Sequence, residues 1–200
     1  MSQDNQSLAT LIGSRICHDL ISPVGAIQNG IELLAMEGRK SPEITLIEDS
    51  VSNASARIRF MRVAFGMAGG GQSIGQAEIV SILDDMGRAG RLRYDWAGGD
   101  GCPRGQLQEI FLAFLCLESA MPRGGMVRAE RQGDHWQISG PADKTRPEAR
   151  HWTVLCGGEA EGTILPAHVQ FPLLASLLKD RNAQARVEEE GETVVIRLPA

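Results

Sequence analysis

A chain of 200 residues, 42% of them hydrophobic, can build one large domain or two small ones around a buried core, which excludes wholesale disorder. A net charge of −5 excludes the basic face of a general nucleic-acid binder, and aromatics at only 4% exclude a stacking platform for single strands. The longest apolar run, Ile110–Leu117, falls far short of the roughly 20 residues of a membrane span, and the opening MSQDNQSLAT has neither part of an export signal, so a cytoplasmic protein without membrane contact is expected.

The first third of the chain has helical periodicity. Leu20, Val24, Ile27, Ile31 and Leu34 are spaced 4, 3, 4, 3, the a/d seam of a coiled-coil helix. Gly38 closes that helix, and Ser41 followed by Pro42 reads as an N-cap with proline at the first helical position. A second seam follows in Ile44, Ile47, Val51, Ala54, Ile58, Met61 and Phe65. Two seams joined by a short turn predict an antiparallel helical hairpin. Leu8, Leu11, Ile12 and Ile16 widen the first stripe beyond what one hairpin can bury. A second copy would cover the excess in a dimeric four-helix bundle; the alternative cover is the rest of the same chain.

Three glycines, Gly69 to Gly71, mark a linker over 69–76 and divide the chain into domains at 1–68 and 77–200. This stretch lacks the Gly-Lys-Ser/Thr ending of a phosphate-binding loop. Beyond it the pattern becomes α+β. Helices are expected over Gln76–Met86, Gly105–Ala120 and Pro166–Lys179, with another opened by the capping box Thr145-Arg-Pro-Glu148 and ended by Gly157-Gly158. Strands are expected over Arg91–Trp96, in a hairpin of Met126–Arg131 with His135–Ser139, and in a closing hairpin of Arg186–Glu190 with Thr193–Leu198. The fold class is α+β: a helical hairpin, then a small sheet with helices on one face.

Cys17, Cys102, Cys116 and Cys156 are scattered and read as buried free thiols, and no His or Cys stands at metal-ligand spacing, so no metal site is expected. His18 is different. With Leu20 at d, Cys17 falls at a and His18 at b, a position that points away from the bundle core. Pro23 follows in mid-helix and cannot donate to the carbonyl of Asp19, at a cost of roughly 3 kcal/mol. Around the histidine the helix face carries Ser14, Arg15, Ile21, Ser22 and Gly25. Ile21 suits a protein contact, and Gly25 leaves room for a partner's backbone. Antiparallel pairing sets Arg59 and Arg62 on the neighbouring helix, where they could neutralise an anion. A neutral imidazole offers one ring nitrogen as a nucleophile. Attack on a phosphoryl group would give a phosphohistidine, and a convex site suits a protein substrate better than a small molecule.

HDLISPV, His18 to Val24, resembles the H-box of histidine kinases, and the wider SRICHDLISPVGAIQNGIELL, Ser14 to Leu34, resembles the alphaproteobacterial ChpT family of histidine phosphotransferases. That resemblance covers essentially the whole chain and implies a phosphorelay intermediate: a dimeric phosphotransfer hairpin followed by a degenerate kinase-like ATPase domain. It implies that His18 is phosphorylated, with Asp19 at the acid position and Ser22 at the polar position that influences phosphoryl chemistry. Its partners would be receiver domains, a CckA-like hybrid kinase as donor and CtrA-like or CpdR-like regulators as acceptors. The Mg²⁺ of the reaction would be held by the receiver, with no cofactor on this chain.

The departures also carry information. A kinase ATPase domain needs an asparagine-bearing helix for Mg²⁺-ATP, yet Gly105–Ala120 has no asparagine. After the first hairpin the chain reads ISGPADK, without the glycines of an adenine loop. The expectation is therefore transfer through His18 without ATP-dependent kinase activity. The competing expectations are a module that only sequesters receivers and a divergent ATP-dependent kinase.

Overall fold

The computed structural model describes residues 3–38, 41–67, 71–141, 149–159 and 162–200; within them, the side chains of 3–10, 12, 14 and 89 are not described. Helix α1 spans Gln3–Met36 and continues through Pro23, and α2 spans Pro42–Phe65. The turn forms as its residues dictate. Gly38 adopts a φ of +74°, the left-handed conformation that ends a helix, and the Ser41 hydroxyl accepts from the Ile44 amide at 3.3 Å. The two helices pack as a hairpin. Its register is visible near the open end, where Gly13 lies against Phe65 so closely that an added Cβ would sit 3.3 Å from that side chain.

The seam divides in two. Cys17 and Ile31 are buried and Val24 is half-buried, so this row packs within the hairpin. Ile16, Leu20 and Ile27 remain 53%, 47% and 50% exposed. The opposite side of α2 carries Phe60, Val63 and Ala64 into the core of the second domain.

That domain opens with a small antiparallel ribbon that the sequence pattern does not announce. β1, Ser73–Gly75, lies in the stretch read as linker and pairs with β3, Gly101–Pro103. Three-residue strands are too short to show a period, so the ribbon is fixed by its partner rather than by local pattern. Helix α3, Gln76–Ala89, leads to β2, Leu92–Ala97, and α4, Arg104–Ala120, follows β3. The hairpins are β4, Gly125–Gln132, with β5, His135–Pro141, and β6, Arg186–Glu190, with β7, Thr193–Pro199. The main sheet has the order β2-β4-β5-β7-β6; β2 runs parallel to β4 and the other pairs are antiparallel. Val127, Ala129, Trp136, Ile138, Ile196 and Leu198 are buried on its inner face. The outer face carries ion pairs instead, Asp95 with Arg128 and Arg197 with Glu188 and Glu190.

Helix α4 is the centre of the molecule. It packs against α2, against α6 (Gln170–Asp180) and against the sheet. Covered on all sides, it has no polar face, which accounts for the unbroken run Ile110–Leu117. The helix expected over Pro166–Lys179 is instead a 3₁₀ turn at Pro166–His168 followed by α6. Pro172 has no amide to donate to the carbonyl of His168; placed in the first turn of α6, where that donor has no helical partner to lose, it avoids the cost that α1 bears at Pro23. Helix α5 spans Ala149–Leu155; the capping box expected before it lies outside the described residues. The four cysteines are free thiols, Cys17, Cys102 and Cys116 buried and Cys156 half-buried.

The hairpin is fastened to the second domain through the end of α2. Arg104, buried in the first turn of α4, donates from Nη1 to the Val63 carbonyl at 2.8 Å and from Nη2 to the Arg62 carbonyl at 2.7 Å. Buried Gln108 donates from Nε2 to the carbonyls of Ala64 and Gly66 at 3.1 and 2.9 Å. These are the carbonyls that a helix C-terminus leaves without partners, and the guanidinium also faces the negative end of the helix dipole. Beside them Phe60 stacks on Phe111 with ring centroids 4.6 Å apart. Arg104→Ala is expected to lower stability by about 2 kcal/mol, since it strands buried carbonyls; urea denaturation at neutral pH measures this.

Candidate functional site

The site is built on the outward strip of α1. The His18 side chain is 84% exposed, as its b position requires. At about 100° per residue it lies roughly half a turn round the helix from Ile16, Leu20 and Ile27. Asp19 organises it: the ring nitrogen Nδ1 lies 3.1 Å from Asp19 Oδ1, and the other carboxylate oxygen accepts from Arg15 Nε at 2.7 Å. A carboxylate can only accept, so the neutral ring donates from Nδ1 and its lone pair sits on Nε2. Hydrogen bonding to His18 first, then to Arg15, holds the Asp19 carboxyl below the usual carboxylate range. The orienting bond is thus present above the ordinary aspartate pKa and is lost as pH falls through the depressed value.

The other sequence-predicted residues divide. Ile21 and Ser22 are exposed beside the histidine, and Gly25 is half-buried, with open space where its Cβ would be. The side chain of Ser14 lies outside those described. Arg62 is exposed on α2; burial pushes the Cys17 thiol up, and the Arg62 charge offsets part of that rise. Arg59 is turned the other way. It ion-pairs with Asp85 of α3, which also holds Arg88, and so braces α2 on α3. Helix pairing places residues along an axis but not around it, so it could not show that Arg59 faces α3 rather than His18. Arg15, expected from its place on the helix face to meet a partner, bonds Asp19, and the four-residue spacing is the signal for that bond.

Residues 76–193 match the model of the histidine phosphotransferase C-terminal domain. The chain belongs to the histidine phosphotransferase family. It is 38% identical over 128 residues to the protein phosphotransferase ChpT of Brucella abortus (strain 2308), a match spanning 63% of this chain and 61% of that protein. It also resembles a solved bacterial phosphotransferase, with a TM-score of 0.70 and 28% identity over 99% of this chain and 97% of that one. Within the described residues, no helix of this family member is long and apolar enough to cross a membrane.

Proposed function

We propose that the chain is a phosphorelay intermediate, in which His18 takes a phosphoryl group from a receiver-domain aspartate and passes it to the aspartate of another receiver. The observation that carries this reading is an exposed imidazole whose Nδ1 is engaged by Asp19 and whose Nε2 faces solvent. Nε2 attacks phosphorus, the bond to the donor aspartate breaks, and the resulting imidazolium faces the Asp19 carboxylate. Ile21, Ser22 and Gly25 form the adjoining docking strip, with Arg62 supplying positive charge. A convex helix face admits a protein-borne phosphoryl group, and the receiver brings its own Mg²⁺. The second domain, without the asparagine and glycine signatures of ATP binding, acts as docking surface and partner filter. Donor and acceptors would be of the CckA, CtrA and CpdR kinds, in the cytoplasm.

The direct test mixes a donor receiver carrying labelled phosphoryl, this chain and an acceptor receiver. Label is expected on the chain and then on the acceptor. Binding without labelling would make the chain a sequestering module, and label taken from ATP without a donor would make it a kinase.

A second copy of the chain completes the hairpin in this reading. Ile16, Leu20 and Ile27 form a half-exposed apolar row on the side of α1 away from His18. Burying it between two copies gives a four-helix bundle and leaves both histidines open. The expected result is a dimer in light scattering, converted to a monomer by Leu20→Arg with Ile27→Arg, because either charge would be buried unpaired at the seam.

A further inference from the structure

The acid beside His18 is itself held from its other side. Asp19 Oδ1 meets the ring, while Oδ2 takes the Nε–H of Arg15 at 2.7 Å. The four-residue spacing sets Arg15 and Asp19 on one strip of α1. A carboxylate free to rotate offers either oxygen at varying angles. One pinned at Oδ2 presents Oδ1 in a fixed place. We propose that Arg15 is a positioning residue for the chemistry of His18: acting through Asp19, it holds the ring in the tautomer that leaves Nε2 unprotonated. This rests on the phosphotransfer reading above and assigns Arg15 a part in it other than contact with the receiver.

The balance of the step shows why the tautomer matters. The Nε2 lone pair forms the N–P bond, the P–O bond to the donor aspartate breaks, and that aspartate leaves as a carboxylate. The ring keeps its Nδ1 proton and becomes a phosphoimidazolium against Asp19. No proton has to leave. A ring protonated at Nε2 instead would have to lose that proton before attacking. The fraction of rings in the Nδ1–H form therefore scales the rate, whichever receiver has docked.

The experiment uses the full chain and its Arg15→Ala, Arg15→Lys, Asp19→Asn and Arg15→Ala/Asp19→Asn variants. Nitrogen NMR of the His18 ring reads the tautomer fraction. Phosphoramidate, a phosphoryl donor that needs no docking, reads the labelling rate of His18. Titration with an unphosphorylated receiver domain reads binding. Arg15→Ala is expected to lower the Nδ1–H fraction and slow phosphoramidate labelling about twofold, the size of effect an exposed i,i+4 pair transmits, with receiver affinity unchanged. Arg15→Lys is expected to recover part of the loss, since an ammonium pairs with Asp19 without the planar fork. In the Asp19→Asn background Arg15→Ala is expected to add nothing. Equal loss in that background would overturn the proposal, as would weaker receiver binding with tautomer and labelling unchanged. A chain that takes label from phosphoramidate but from no receiver would overturn the relay reading alone, because the tautomer and labelling comparisons still decide the role of Arg15.

Discussion

Replacing His18 with alanine is expected to abolish relay of label from donor to acceptor, by about a thousandfold or more, while leaving the fold and the proposed dimer intact. The loss is large because the imidazole forms the covalent intermediate; without it no other group on the strip offers an unprotonated nitrogen at neutral pH. The fold survives because the side chain is exposed and its hydrogen bond runs to its own neighbour, Asp19. Exposed substitutions of this kind change stability by about 0.5 kcal/mol or less. The measurement is time-resolved transfer of label among the three proteins, with circular dichroism and light scattering on the variant. A variant lacking His18 that still moves phosphoryl groups at the original rate would end the relay reading.

Arg181→Ala is expected to cost about 3 kcal/mol of stability at neutral pH, because it strands a buried charge. Glu109 lies on α4 in the core, and Arg181, just past α6, meets both of its carboxylate oxygens at 3.0 Å from Nε and Nη2. Arg181 also donates to the Pro199 carbonyl and so ties the end of β7 to the same cluster. Burial raises the Glu109 carboxyl despite the guanidinium, which pulls it down. The sign follows. A raised acid favours the folded state fully below the ordinary glutamate pKa, and that contribution is lost as pH rises through the folded value. Removing Arg181 raises the carboxyl further, so the deficit should shrink near pH 4, where Glu109 enters the core protonated, and grow toward neutrality. Glu109→Gln in the Arg181→Ala background should recover much of the loss and flatten its pH dependence. Urea denaturation between pH 4 and 8 reads both effects; a pH-independent deficit would place the damage elsewhere.

Much of the element pattern was legible because it is local. The hairpin follows from two apolar seams and from the Gly38, Ser41 and Pro42 signals at the turn, all within one helical turn of the residues they govern. The strand hairpins follow from alternation around short polar turns. The ribbon of β1 and β3 was not legible, since three residues show no period, and neither was the break before α6. At the site, the outward placement of His18 followed from its register against Leu20. The direction of Arg59 did not, because its choice between α1 and α3 depends on Asp85, 26 residues away.

The amino-acid order by itself determined which residue faces outward, which acid stands beside it and where the helices start and stop, since these are short-range consequences of periodicity, capping and proline geometry. Only the tertiary structure decided that α4 would lie buried on every side, that Arg104 and Gln108 would cap α2, and that Ile16, Leu20 and Ile27 of α1 would stay half-exposed. Those outcomes depend on groups brought together from distant parts of the chain, where burial and unpaired backbone carbonyls, rather than local preference, set the energy.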